Sequence, residues 1–184
     1  MTDRKTKPIY LFTDGACRGN QSSSNLGGWG CILEYGEHRL ELFGGEPNTT
    51  NNRMEMTALI KGVQAIKKPR QTVMVFADSS YLINGLRERW FDRWQSTNWL
   101  NSRREPVENR DLWELLIDLL PLHNFSFFKI KGHVNLNSKK TDRSALYKKF
   151  TEINGDYFKE EDFLYFLSQN ARADELANQG IDSL

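Results

Sequence analysis

The sequence predicts an α/β fold: a mixed five-stranded sheet, three antiparallel strands followed by parallel ones, with helices on both faces. Three observations carry this expectation. The runs at 9–17, GWGCILEY and HRLELFGG come early and close together, with a turn at Gly36-Glu37, as antiparallel neighbours do. The later runs TVMVFA and FSFFKIKGH each follow a segment of helical spacing, which implies parallel crossovers. The chain is 184 residues long, the length of one domain with one core.

The elements follow in order. The first strand runs into Asp14-Gly15, and a Gly/Ser/Asn loop leads to the hairpin. A helix is expected over RMEMTALIKGVQAIKK, where Met54, Ala58, Val63 and Ile66 share a face, a Thr or Asn caps the start and Pro69 ends it. TVMVFA, β-branched and apolar, stops at Asp78. Residues 79–95 read as one helix through Leu82, Leu86 and Trp90, and a polar loop follows. A further helix from Asn109 would bury Leu112, Leu115, Leu116 and Leu119. FSFFKIKGH alternates as a strand and ends in a Gly-His turn, and the last helix is expected from Asn170 to Gln179, stopped by Gly180.

Residues 1–184 are expected to form a single domain, but about 137–168 exceeds what a compact loop needs. Its first part, with the preceding strand, holds Lys129, Lys131, Lys139, Lys140, Arg143, Lys148 and Lys149 against Asp142. Its second part holds Glu152, Asp156, Glu160, Glu161 and Asp162 against Lys159. A helical hairpin is expected, turning at Asn154-Gly155, with Leu146, Phe150, Ile153, Phe163 and Phe166 as its apolar seam.

Composition excludes several classes. Hydrophobic residues make up 39% and charged residues 27%, too apolar for global disorder. A formal net charge of +1 excludes a strongly basic coat while leaving room for local patches. Cys17 and Cys31 make no disulfide framework and no metal-ligand spacing. The start, MTDRKTKPIYLF, lacks the apolar core of a signal peptide, and no apolar stretch spans a bilayer, so a reducing, cytoplasmic setting without membrane contact is expected.

Four acids lie where element ends can converge: Asp14 on the first strand, Glu55 near a helix start, Asp78 at a strand end and Asp174 near the last helix start. Carboxylates so placed suit a hard divalent ion, and two ions together can hydrolyse a phosphodiester. Each has a plainer explanation. Asp14-Gly15 is a turn signal; Glu55, three after Asn52, suits a capping box; Asp78 before two serines suits an N-cap; Asp174 suits a helix dipole.

FTDGACRGN, TTNNRMEMTA, FADSSYL, the RWFDRW…NW run, PVENRDLW, IKGH and NARADELA occur in an order that resembles type 1 ribonuclease H enzymes, bacterial ribonuclease HI-like. The resemblance runs from about Ile9 to Ile181, interrupted by the insertion before the final acid. It implies a ribonuclease H-like fold and an endonuclease that hydrolyses the RNA strand of RNA·DNA hybrids with two Mg²⁺ ions, Mn²⁺ being an alternative, leaving 5′-phosphate and 3′-hydroxyl. Asp14, Glu55, Asp78 and Asp174 match the four metal-binding acids, and His133 a loop histidine that assists proton transfer or product release. Asn20, Asn51 and Asn52 match minor-groove contacts, where amides can donate to and accept from a 2′-hydroxyl. Thr50 matches a DNA-phosphate contact, and Asn170 an asparagine ahead of the last ligand. Ser80 stands where the family commonly has a glutamine, shortening or losing a minor-groove contact.

Arg87, Arg89, Arg93, Arg103 and Arg104, set against Glu88 and Asp92, interleave with Trp90, Trp94 and Trp99, a combination that suits phosphates and stacked rings. The family carries a basic protrusion here that binds the DNA strand. Arg93 and one of Trp90 and Trp94 are expected at the nucleic acid, the other tryptophan in the core, and Tyr81 in the core as well. Because acids dilute this run, hybrid affinity is expected to draw on Lys129, Lys131 and the basic half of the insertion. A monomer is expected. The rivals are another nuclease or strand-transfer enzyme of the same superfold, which would lack TNNRMEM with DGACRGN, and a non-catalytic hybrid-binding module, which would have lost an acid.

Overall fold

The computed structural model describes residues 7–19 and 24–184. Strands β1 (Ile9–Arg18), β2 (Leu26–Tyr35) and β3 (His38–Pro47) form an antiparallel meander, and β4 (Thr72–Ala77) and β5 (Asn124–Lys129) join parallel to β1. The sheet order is β3-β2-β1-β4-β5, the mixed sheet expected.

Strand alternation divides the interior into two layers. Leu11, Val73 and Val75 point towards α1 (Asn51–Gln64), α2 (Ser80–Arg87) and α4 (Arg110–Leu119), where Leu59, Leu82, Trp113 and Leu116 are buried. Phe12, Phe76 and Phe128 point the other way, onto Phe150 of α5 (Arg143–Asn154) and Phe163 and Phe166 of α6 (Glu160–Asp182). This second layer is mostly aromatic: Phe76 has ring centroids at 5.0 Å from Phe12, 5.1 Å from Phe128 and 4.3 Å from Phe166. Helices therefore cover both faces. Cys17 and Cys31 are free thiols, and no described helix is long and apolar enough to cross a membrane.

Several expected boundaries differ. Helix α1 ends at Gln64 on an Ala65 cap whose N–H reaches back to Lys61 and Gly62, so Pro69 follows the helix without stopping it. The single helix expected over 79–95 is two, α2 and α3 (Trp90–Ser96), because Arg89 adopts the left-handed region at φ 51°. In α4, Trp113 takes the buried position and Leu115 faces solvent. The largest difference is α6, which runs unbroken through Asn170 and Gly180. Gly180 serves close packing: a Cβ there would lie 2.0 Å from the Gly44 carbonyl of β3.

Within 137–168 the chain forms α5, a turn at Gly155 (φ 88°) and the first turns of α6, which continues to Asp182. Phe150, Phe163 and Phe166 form its seam, Leu146 is half-buried and Ile153 faces solvent. Asn154 ties α5 to the edge of β5. Its Oδ1 accepts from the Lys129 N–H at 2.8 Å, and its Nδ2 donates to the Lys129 carbonyl at 2.8 Å. The buried amide thus supplies the pairing that a sixth strand would give. Arg87 completes the seam by donating to Asn154 Oδ1 and to the Phe127 carbonyl.

Candidate active site

Sheet register brings the first two acids together. Thr13 of β1 pairs with Ala77 of β4, and each is followed directly by an acid, Asp14 or Asp78. Glu55 comes from the second turn of α1, which crosses β1 closely: a Cβ on Gly15 would lie 2.5 Å from the Glu55 backbone nitrogen. Asp174 comes from the middle of α6, which packs across β1, β2 and β3.

The geometry removes the plainer explanation for each acid. Asp14 lies within a strand, paired with Gly30, and not in a turn. The cap of α1 is Thr50, whose hydroxyl accepts from the Arg53 N–H at 3.1 Å, so Glu55 is past any capping box. Ser79 caps α2 by accepting from the Leu82 N–H at 3.1 Å, which relieves Asp78 of that task. Asp174 is several turns from the start of α6, beyond the reach of the terminal dipole.

Electrostatically the cluster is strained. Asp14 is 6% exposed and Glu55 9% exposed. Burial, with the charges of Asp174 and Asp78 added, raises the Asp14 carboxyl to about 6, although hydrogen bonds from Glu55 and the Gly15 N–H oppose the shift. Glu55 is pushed well above the usual carboxylate range by burial and by Asp14 beside it. Its Oε2 is buried without a hydrogen-bond partner. An orphaned carboxylate oxygen among other carboxylates fits a site for a hard, oxygen-seeking cation. Among the described residues no three Asp, Glu, His or Cys side chains are gathered closely enough to hold a metal ion.

One cation touches the four acids among the described residues: Lys129 Nζ lies 3.0 Å from Asp78 Oδ1. The KGH turn presses on the same carboxylate, since a Cβ on Gly132 would lie 2.3 Å from Asp78 Oδ2. His133 follows with φ 56°, exposed, and lines a groove of about 430 Å³ together with Lys131, Asn135, Lys140 and Lys149. No hydrogen bond joins His133 to the acids among the described residues.

The other residues marked in the sequence are spread around this centre. Thr50 and Asn51 are exposed at the start of α1, with Asn52 half-buried beside them, and Ser80 is exposed at the start of α2. Asn170, one turn before Asp174, is buried with its Oδ1 unpartnered. Asn20 lies outside the described residues. Arg93 is exposed on α3. Neither Trp90 nor Trp94 is fully buried; Trp99 takes the core position expected for one of them, because the break at Arg89 turns α3 outward. Trp90 and Trp94 line a groove of about 750 Å³ with Arg89 and Arg93. Tyr81 is half-buried and accepts from Trp113 Nε1 at 2.9 Å.

Three supporting residues escaped the sequence reading. Asn25 clamps the approach to α1 by accepting from the Thr49 N–H at 2.8 Å and donating to the Thr49 carbonyl at 2.7 Å. Asn178 donates to the Asp174 carbonyl at 3.0 Å and is held by Arg18. Lys129 was marked as a nucleic-acid lysine, not as the partner of Asp78. No motif distinguishes any of the three; each acts through a contact between distant segments.

The sequence profile of the RNase H family matches residues 6–148. Ribonuclease H of Symbiobacterium thermophilum is 45% identical over 130 residues, covering 71% of this chain and 86% of that protein. Ribonuclease H of Neisseria meningitidis is 48% identical over 126 residues, covering 68% and 83%. Among solved structures, LC9-RNase H1, described as a type 1 RNase H with the type 2 active-site motif, superposes with a TM-score of 0.72 at 24% identity, over 99% of this chain and 75% of that one. LC11-RNase H1 in complex with an RNA/DNA hybrid superposes at 0.53 with 20% identity, over 95% and 97%, a likeness of fold. The profile match stops before Asp174, and the fold returns that residue to the other three acids. With the profile, the relatives and the sheet in agreement, this chain belongs to the ribonuclease H family.

Proposed function

We propose that the chain is a cytoplasmic, monomeric endonuclease that hydrolyses the RNA strand of RNA·DNA hybrids. Residues 1–184 act as one catalytic domain, with 137–168 as an inserted arm. The observation that carries the reading is the buried Asp14–Glu55 pair with its orphaned Glu55 oxygen, set beside Asp78 and Asp174. Asp14, Glu55, Asp78 and Asp174 would hold two Mg²⁺ ions, or Mn²⁺, which when bound supply an activated water and stabilise the departing oxygen. The water oxygen bonds to phosphorus, the bond from phosphorus to O3′ breaks, and the ends left are a 5′-phosphate and a 3′-hydroxyl.

The rest of the chain binds and positions. Asn51 and Asn52 stand at the start of α1, where amides can read a 2′-hydroxyl in the shallow minor groove. Asn20 supports the same contact and Ser80 a shortened one, Thr50 meets a phosphate of the DNA strand, and Asn170 stands one helical turn ahead of Asp174. Arg93, Trp90 and Trp94 receive the DNA strand along the α3 groove. His133, exposed on its turn, serves proton transfer or release of the charged product. Lys131, Lys140 and Lys149 extend the channel towards α5.

Matched RNA·DNA, RNA·RNA and DNA·DNA duplexes, each incubated with and without Mg²⁺, test this. Cleavage confined to the RNA of the hybrid, and only with metal, is expected. Preference for plain duplex or junction DNA would favour a strand-transfer relative, and binding without cleavage would favour a non-catalytic module.

A further inference from the structure

We propose that Lys129 is a resident counter-cation of the acid cluster, held there by the inserted arm, and that divalent ions must compete with it for Asp78. The inference rests on the reading of the cluster as a divalent-ion site. Its geometry comes from β5 and α5 together. Register sets Lys129 opposite Ala77, one residue before Asp78. The ammonium reaches Asp78 Oδ1 at 3.0 Å and donates to the Ile130 carbonyl at 3.2 Å. The lysine side chain is 22% exposed and that of Asp78 35% exposed, so solvent screens the pair only in part.

The backbone of Lys129 is fixed from the other side. Asn154, 8% exposed at the end of α5, engages both its N–H and its carbonyl. The same amide donates to the Phe150 carbonyl at 2.9 Å and accepts from Arg87 at 2.7 Å. Lys129 therefore cannot shift along β5 without breaking a buried network, and breaking one is expensive. Here the inserted arm meets the chemistry, through one amide acting on the backbone of the lysine that, among the described residues, touches an acid of the cluster.

A fixed positive charge on Asp78 has two effects. Without metal it offsets part of the repulsion among the four carboxylates. With metal it occupies a carboxylate oxygen and repels an incoming dication, so ions bind more weakly than four acids alone would allow. Lys129 is thus a positioning residue that sets the working concentration of metal.

Isothermal titration of Mg²⁺ into substrate-free protein tests the proposal, with circular dichroism as a check on folding. Lys129→Met is expected to bind Mg²⁺ roughly tenfold more tightly than wild type. Lys129→Arg, which keeps the charge, should remain within about twofold of wild type. Asn154→Leu should tighten binding by a smaller factor, and that gain should vanish when Lys129 is already Met, which a purely structural role for Asn154 would not produce. Equal Mg²⁺ affinity for wild type and a folded Lys129→Met protein would overturn the proposal while leaving the metal site standing. Mg²⁺ binding that is absent from wild type, or unchanged in Asp14→Asn, would overturn both.

Discussion

The acid cluster and the arm formed by α5 and the start of α6 lie side by side but are built in opposite ways. Asp14, Glu55, Asp78 and Asp174 come from four elements whose positions the sheet and its two cores dictate, and the two deepest acids are almost without solvent. The arm buries Phe150, Phe163 and Phe166 in an aromatic seam, and Lys149 on it, with Lys131 and Lys140 before it, stays exposed, without an ion pair among the described residues. Rigid elements carry the groups that must not move, and a surface arm carries charge that needs only to be near a phosphate. The lesson is that the two regions should fail differently: the cluster all at once, the arm by degrees.

The largest expected effect is Asp14→Asn. Cleavage should fall by at least a thousandfold, of order 4 kcal/mol in barrier, because an amide cannot supply the charge that two ions require. The fold should survive. At pH 8 without metal the variant should be more stable than wild type by on the order of 1–3 kcal/mol, read from denaturant melts. The sign follows from the raised carboxyl. Its unfolded value lies near 4 and its folded value about 6, so the unfolded chain holds fewer protons between them and stability falls as pH rises through that window. Wild type without metal should therefore be steadier at pH 5 than at pH 8, and Asp14→Asn should flatten that slope.

Next comes the seam. Phe163→Ala removes a fully buried ring that lies tilted 4.8 Å from Phe150, and should cost about 3–5 kcal/mol. The loss should extend beyond the arm, because Phe166, one turn on, packs directly on Phe76 of β4. A thermal melt that stayed cooperative and unshifted would show the arm to be an independent appendage.

Smaller effects are expected from the charges. Replacing Lys131, Lys140 and Lys149 by Gln should raise KM and reduce the slope of log KM against log salt by about 2–3, with kcat nearly kept. An unchanged slope would place the hybrid elsewhere. His133→Ala should lower turnover roughly tenfold and leave metal dependence intact, since the acids supply most of the barrier reduction. Wild-type rates would mean that its turn serves only to press Gly132 against Asp78.

What could be read beforehand divides along the same line. The strands were legible because alternation is a local signal, and β4 stops before Asp78 as TVMVFA suggests, whereas Asp174, expected near a helix start, lies in the middle of α6. The break at Arg89 was not, because a left-handed arginine leaves no glycine to mark it. Nor was the true start of α6, since Lys159 stands at the N-cap in place of the usual Ser or Thr and, among the described residues, the only side-chain cap bond is the Lys159 N–H donating to Asp162 Oδ2 at 3.1 Å. Gly180 was misread as a stop because its purpose, contact with Gly44, lies in a strand distant in sequence. The link between Lys129 and Asp78 needs a register between strands and an asparagine from the far end of α5, and no window along the chain contains all three.

The central claim is that these four acids form one metal-dependent phosphodiesterase centre, and the ends of the cut RNA test it most directly. An end-labelled RNA·DNA hybrid should be treated with wild type and Asp14→Asn, with Mg²⁺ and with chelator, and the RNA termini mapped. The account predicts 5′-phosphate and 3′-hydroxyl ends from wild type with Mg²⁺ alone and no cutting by a folded Asp14→Asn protein. Cyclic 2′,3′-phosphate ends, cutting in chelator, or normal turnover by Asp14→Asn would contradict it.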